Sequence, residues 1–275
     1  MYLPASFEMN SFERMVQFLN ESNRIEAITE IDYSQKKYQT LDKGHFGALI
    51  QSQQSALNHE PLTIGKIKQW QSLLTREQLA FNHSIGENEI GHIRGPSLQK
   101  NVRVGSHIPP DWEKVPTLLD YLIEQINEGL KDSEKLKNDA EYCNFLARSF
   151  QQFESIHPFA DGNGRVGRLI ANYIATFCQR PAIVFKSEMI ERNEYYRAHK
   201  SPKTMARFMA MKIQEAIFGS IVSDGGLLFK VEDLSGATCR YESGDRKCRE
   251  QYEWHSLNPI LLEEEGENEK PSKDS

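Results

Sequence analysis

Residues 157–168 read His-Pro-Phe-Ala-Asp-Gly-Asn-Gly-Arg-Val-Gly-Arg and lie between two helical patterns, so the chain must form a helix, a tight loop and a second helix here. The first helix ends near Ile156, because Pro158, Gly162 and Gly164 break any continuing periodicity. The second begins inside the segment, with Val166, Leu169, Ile170, Tyr173 and Phe177 forming an apolar stripe at helical spacing. The loop therefore sits at a helix N-terminus, where unpaired backbone N–H groups and the positive end of the helix dipole favour an anion. Gly162 and Gly164 let the backbone approach a ligand closely and aim successive N–H groups at it.

The side chains around this loop extend the same chemistry. Arg165 and Arg168 are three residues apart, on neighbouring turns of one helix face, and two guanidinium forks beside an anion loop can clamp a polyphosphate. Asp161 is a hard oxygen donor of the kind that holds Mg²⁺ together with substrate phosphates. His157, at the loop edge, is the one side chain in the segment able to accept a proton near neutral pH. Taken singly, each has a structural explanation: a helix-end histidine, a solvated arginine face, an aspartate in a turn. Together they point to phosphoryl or nucleotidyl transfer.

The remaining chain reads as mainly α. Phe12, Met15, Val16 and Leu19 have helical spacing, and Ser22 is placed to cap a second short helix through Ile25, Ile28 and Ile31. Helices are predicted over 39–57, 62–81 (with Ile64, Ile67, Trp70, Leu73 and Leu74 on one face), 115–130, 139–156, 164–179 and 203–221. Between Gly86 and Pro110, recurring glycines and the alternation of Val102 and Val104 with polar residues predict a short β-hairpin. This gives an N-terminal segment over 1–35, a core domain over 36–222, and an irregular extension over 223–275 ending in a disordered acidic tail. Residues 263–275 carry a net charge of −4 out of −6 for the whole chain, so the body is nearly neutral. With no basic patch, a nucleic-acid partner is not expected. No apolar run approaches a membrane span, and the N-terminus lacks a basic, apolar leader. Cys143, Cys178, Cys239 and Cys248 are too scattered for a disulfide framework, which fits a reducing cytoplasm and leaves export by other signals open. Cys239, Cys248 and His255 match no zinc spacing and are expected to be separate groups.

The 157–168 segment matches H-x-F-x-[D/E]-G-N-G-R-x-x-R at every specified position and so resembles the motif of the Fic family. The resemblance spans roughly residues 10–215 and implies a helical Fic core with a small β-hairpin flap. It implies AMP transfer from ATP to a Ser, Thr or Tyr hydroxyl of a target protein, with Mg²⁺. His157 would be the general base and Asp161 the metal ligand on the α- and β-phosphates. Gly162, Asn163 and Gly164 would form the anion hole, with Arg165 on the phosphates and Arg168 on the γ-phosphate; Phe159 would be a core anchor. Gly91-His-Ile-Arg94 and Val102-Arg-Val104 resemble the flap, and a protein target would lie along residues 91–107 by strand addition. Glu194-Tyr-Tyr196 resembles the stretch beside the nucleotide, which makes Tyr195 and Tyr196 candidate adenosine contacts with core packing as the other reading. Gln71 stands where many members carry His.

Ser22-Asn-Arg-Ile-Glu26-Ala27 resembles the family's autoinhibitory pattern [S/T]-x-x-x-E-[G/N], with Ala27 departing from Gly or Asn. The resemblance implies that Glu26 pairs with Arg168 and competes with the γ-phosphate. Three alternatives stay open: removal of AMP from a modified target, transfer from another nucleotide donor, and a non-catalytic ATP-binding module. The sequence leaves a homodimer open as well.

Overall fold

The computed structural model describes residues 5–81, 85–132 and 134–218, with side chains from residue 12 to 216. The predicted extension over 223–275, with Cys239, Cys248 and His255, lies outside the described residues. All described residues belong to the unit Met1–Leu234. Eight α-helices run through them: α1 Ala5–Ile25, α2 Gly44–Leu57, α3 Ile64–Gln78, α4 Val115–Lys131, α5 Asp139–Ile156, α6 Asn163–Phe177, α7 Met189–Ala198 and α8 Pro202–Phe218. No helix among the described residues is long and apolar enough to cross a membrane.

The helix starts follow local chemistry. Thr63 accepts from Lys66 N at 3.2 Å to cap α3, and the Asn138 side chain accepts from Ala140 N and Glu141 N to cap α5. The core is built around α6, which is covered by α2, α3, α5 and α1; α8 closes the far side of α5. Trp70, Phe150, Phe153, Phe159 and Tyr173 fill the space between these helices and are all at most 1% exposed. Because neighbours cover α6 on every side, Arg165 and Arg168 are buried together with Val166, Leu169, Ile170 and Tyr173. Phe177, at the end of the predicted stripe, is only partly covered.

Three expectations are corrected. The predicted break at Ser22 does not occur: α1 is continuous to Ile25, and the Ser22 hydroxyl accepts from Arg168 Nε at 2.9 Å. No strand longer than an isolated bridge exists among the described residues, so the flap is not a β-hairpin. Its backbone closes two tight turns instead, Gly95 with Leu98 and Val104 with His107, each by a reciprocal pair of 3.0 Å hydrogen bonds. The Trp112 N–H goes to the Asn101 side chain, and Arg94 N donates to Pro158 O at 2.7 Å, so the polar groups of a ladder are spent on side chains and on the motif loop. Finally, α7 covers the Tyr-containing stretch, which carries no clear helical stripe in sequence.

Helix α1 ends in a particular way. Ile28 N donates to Asn23 O and Ala27 N to Arg24 O, both at 3.0 Å, the paired closure of a Schellman motif. Ala27 occupies its left-handed position with φ 58°, a conformation that disfavours a Cβ and suits Gly or Asn. Ala27→Gly should therefore stabilise the protein by about 0.5–1 kcal/mol in urea unfolding, the left-handed strain being partly offset by glycine's greater unfolded-state freedom. A loss of stability would show that the α1 terminus is not held in this closure.

Candidate active site

The motif loop is defined by two left-handed residues. His157, the C-cap of α5, has φ 49° and its N–H donates to Phe153 O at 3.0 Å. Gly162, the N-cap of α6, has φ 83°, and a Cβ there would meet Leu74 Cδ1 at 3.0 Å and Thr75 Cγ2 at 3.3 Å. Between them the Asn163 side chain staples the loop: its Oδ1 accepts from Phe159 N at 2.8 Å and its Nδ2 donates to Phe159 O at 2.9 Å. Asn163 thus contributes its backbone to the anion loop while its side chain is spent on loop shape. Phe159 is fully buried, as expected of an anchor.

Arg168 is 0% exposed and Arg165 2% exposed. Burying these guanidinium groups demands partners. Arg168 donates from Nε to Ser22 Oγ at 2.9 Å, and from Nη2 to Ser22 O and Glu26 Oε1, both at 2.8 Å. Glu26 lies over the first turn of α6, since a Cβ on Gly164 would stand 2.3 Å from Glu26 Oε1. A carboxylate therefore already occupies the anion position that the loop offers. Burial pushes the Glu26 carboxyl upward, but the charge and hydrogen bond of Arg168, with help from Arg165, hold it below the usual carboxylate range. Arg168 Nη1 and Arg165 Nε are buried without hydrogen-bond partners, two donors left over at the same place.

His157 and Asp161 flank this arrangement. Burial, outweighing a hydrogen bond to the Glu154 backbone and reinforced by the charge of Arg94, pushes the His157 imidazole down to about 4. It is therefore neutral at physiological pH and able to accept a proton. Asp161 Oδ1 accepts from Gly162 N at 2.6 Å and Oδ2 from Gln78 Nε2 at 3.2 Å. A carboxylate offers about four acceptor sites, so lone pairs remain for a cation. The described residues hold no group of three His, Cys, Asp or Glu that would ligate a metal alone. One carboxylate beside free phosphate-binding donors fits Mg²⁺ held jointly by protein and nucleotide.

Several residues to which sequence reasoning gave no role in the site complete it. Arg94, fully buried, donates to His157 O, Ile156 O and Pro110 O, each at 2.9 Å, and so ties the flap to the end of α5. Gln71 donates to Asp161 O at 3.2 Å and accepts from Gly91 N at 2.5 Å, which gives the departure from His a structural role joining loop and flap. Gln71 and Gln78 interrupt the apolar stripe of α3 on its buried face, and that pattern was the available signal. Asn23 and His45 pair at 3.1 Å, and Tyr33 bonds Glu77, which further fastens the α1 terminus. The two candidate tyrosines part company. Tyr195 is 4% exposed in a cluster with Phe150, Phe185 and Phe208, whereas Tyr196 is exposed with Arg192 over its ring.

The family model described as Fic/DOC matches residues 61–175, the stretch that contains α3, the flap, α5, the loop and most of α6. Over this stretch the chain is similar to the Fic/DOC family. The chain is 27% identical over 180 residues to a protein named protein adenylyltransferase Fic from Drosophila mojavensis, covering 56% of this chain and 34% of that protein. It is 31% identical over 111 residues to the like-named protein of Drosophila melanogaster, covering 39% and 21%. The matched region is thus about a third of the first relative's length and about a fifth of the second's. Among solved structures, a Fic-domain signalling protein from Bacteroides thetaiotaomicron aligns with TM-score 0.53 and 20% identity, covering 80% of this chain and 96% of that one. Fic-1 from C. elegans aligns with TM-score 0.53 and 20% identity, covering 79% and 67%. Both likenesses are of fold.

Behind the motif loop lies an unusual carboxyl. Glu154 Oε1 is buried without a partner, and a Cβ on Gly167 would stand 2.1 Å from it. Burial, opposed by Arg168 and reinforced by Glu26, pushes this group up to about 8. A folded-state value above the unfolded one gives stability that is complete below the ordinary glutamate range and lost as pH rises through about 8. Glu154→Gln should remove that loss. Its unfolding free energy should exceed the wild type's by roughly 3 kcal/mol more at pH 8.5 than at pH 5.5. Parallel stability curves would place Glu154 ionised in the native state.

Proposed function

We propose that this protein transfers AMP from ATP to a Ser, Thr or Tyr hydroxyl of a target protein and that Glu26 restrains the reaction. The observation that carries the reading is the anion position at the N-terminus of α6, where buried Arg165 and Arg168 keep unpartnered N–H groups beside neutral His157 and Asp161. The names of the Drosophila relatives support the same reaction class. Transfer has defined bookkeeping. The target hydroxyl oxygen forms a bond to the α-phosphorus, the bond to the β-phosphate breaks, His157 Nε2 or Nδ1 takes the hydroxyl proton, and pyrophosphate leaves. Arg165 and the N–H groups around Gly162–Gly164 stabilise charge as it grows on the phosphate oxygens. Mg²⁺, held by Asp161 and the phosphates, would supply further neutralisation of that charge. The target segment would lie along the flap near residues 91–107, whose attachment through Arg94 to His157 O sets its distance from the base.

Glu26 restrains this because a carboxylate and a γ-phosphate cannot share Arg168. The same side chain supports a second reading. Glu26 is ionised and its side chain is 36% exposed, so it can serve as the base that activates water for removal of AMP from a modified hydroxyl. In that case Glu26→Gly abolishes AMP release rather than raising AMP transfer.

The test is incubation of wild type, Glu26→Gly and His157→Ala with Mg²⁺ and α-labelled ATP, reading label on protein. Glu26→Gly should exceed the wild type by about tenfold or more, the scale of one charge-assisted hydrogen bond. Introducing His157→Ala into that background should cost about 10²–10⁴ in rate. ATP binding without label in any of the proteins would instead indicate a binding module.

The pH dependence is a separate expectation. The base must be neutral, and Glu26→Gly removes a charge that raises the His157 value. The kcat/KM of this variant should therefore stay level from about pH 8 down to about pH 6 and fall only as pH drops toward about 4. An acid limb near the ordinary histidine value of about 6.5 would show that burial does not depress His157 in the free variant, and loss of the acid limb in His157→Ala would tie the limb to this residue.

A further inference from the structure

The loop rests on α3 through a residue outside the motif. Gln78, in the last turn of α3, is 4% exposed and uses both ends of its amide. Its Nε2 donates to Asp161 Oδ2 at 3.2 Å, and its Oε1 accepts from Arg165 Nη2. The amide can sit only this way round, because a carboxylate accepts and a guanidinium donates. One neutral side chain thus stands between the carboxylate and the guanidinium that the proposed reaction sets against the metal and the phosphates.

Asp161 and Arg165 attract each other across this short loop. With nothing between them they would close into an ion pair, and the carboxylate lone pairs and the guanidinium donors would both be consumed. The interposed amide prevents this while satisfying one bond on each side. Gly162 N fixes the other Asp161 oxygen at 2.6 Å, so the carboxylate is held at both oxygens by neutral donors. Neutrality is the point. A cation at position 78 would neutralise Asp161, and an apolar side chain would free it to reach Arg165.

We propose that Gln78 is a positioning residue that sets the metal affinity of Asp161 by keeping its carboxylate oriented and apart from Arg165. This rests on the nucleotide-binding reading given above. Outer-shell partners of metal ligands typically alter metal affinity by about 10–100-fold when removed.

The experiment is calorimetric titration of α,β-methylene ATP, which cannot transfer AMP, into Glu26→Gly with and without Mg²⁺. The ratio of the two dissociation constants is the gain due to the metal. Adding Gln78→Met, which keeps the length and loses both polar atoms, should cut that gain by about tenfold. Adding Gln78→Glu, which keeps the acceptor for Arg165 and sets a second carboxylate beside Asp161, should raise it. A residue with only a packing role would shift the melting temperature without moving the gain in opposite directions. Equal gains in all three proteins would overturn the inference, and Gln78→Glu alone decides it should Gln78→Met fail to fold. If Glu26→Gly binds no nucleotide under either condition, the nucleotide reading falls and this inference with it. Binding with an unchanged gain overturns this inference alone.

Discussion

A guanidinium carried into the protein interior must find an anion or a set of carbonyls, and Arg168 is the group on which this structure turns. It is fully buried in α6, and its side chain bonds the last turn of α1 and the residue after it: the Ser22 hydroxyl, the Ser22 carbonyl and the Glu26 carboxylate. The need to satisfy one charge therefore ties the end of α1 to α6, while Arg14, Glu21 and buried Phe18 and Leu19 hold the rest of that helix to the domain. Two glycines follow from the same crowding. Gly164 leaves room for Glu26 and Gly167 for Glu154, and a Cβ at either would lie within 2.3 Å of a carboxylate oxygen.

The site is held from two other directions by polar side chains that do no chemistry themselves. From α3, Gln71 and Gln78 grip the backbone and the carboxylate of Asp161. From the flap, Arg94 gathers three carbonyls, including that of His157. The buried amides and Arg94 are satisfied mainly by loop backbone, which fixes a segment that has no regular structure to fix it. The result is an anion position on a loop held from several sides, with the Glu26 carboxylate standing in it. In the function proposed above, restraint and activity are alternative occupancies of that one place, with the residue that follows α1 deciding between them.

Much of this was legible in the chain. Helices α2 to α6 and α8 follow the 3.6-residue pattern, and the motif loop declares itself through Pro158, Gly162 and Gly164. The pairing of Glu26 with Arg168 was legible only through family resemblance, since 142 residues separate the two. Helix α7 was missed because its face is mixed, with exposed Met189 and Ile190 and only Tyr195 and Ala198 buried. The flap was misread because alternation of valines indicates extended chain but says nothing of whether a second strand lies opposite.

What the sequence determined by itself is local: which segments are helical, where the loop breaks them, and which donors, acceptors and bases that loop carries. These depend on residue spacing and backbone preference within a few turns. Tertiary structure decided the protonation states and the pairings. His157 is driven down, Glu154 is driven up, and Glu26 is held ionised, because burial and neighbouring charge act through space between residues far apart in the chain. Gln78 shows the division most plainly. In the sequence it is an ordinary polar residue on a helix, and only folding puts its amide between Asp161 and Arg165.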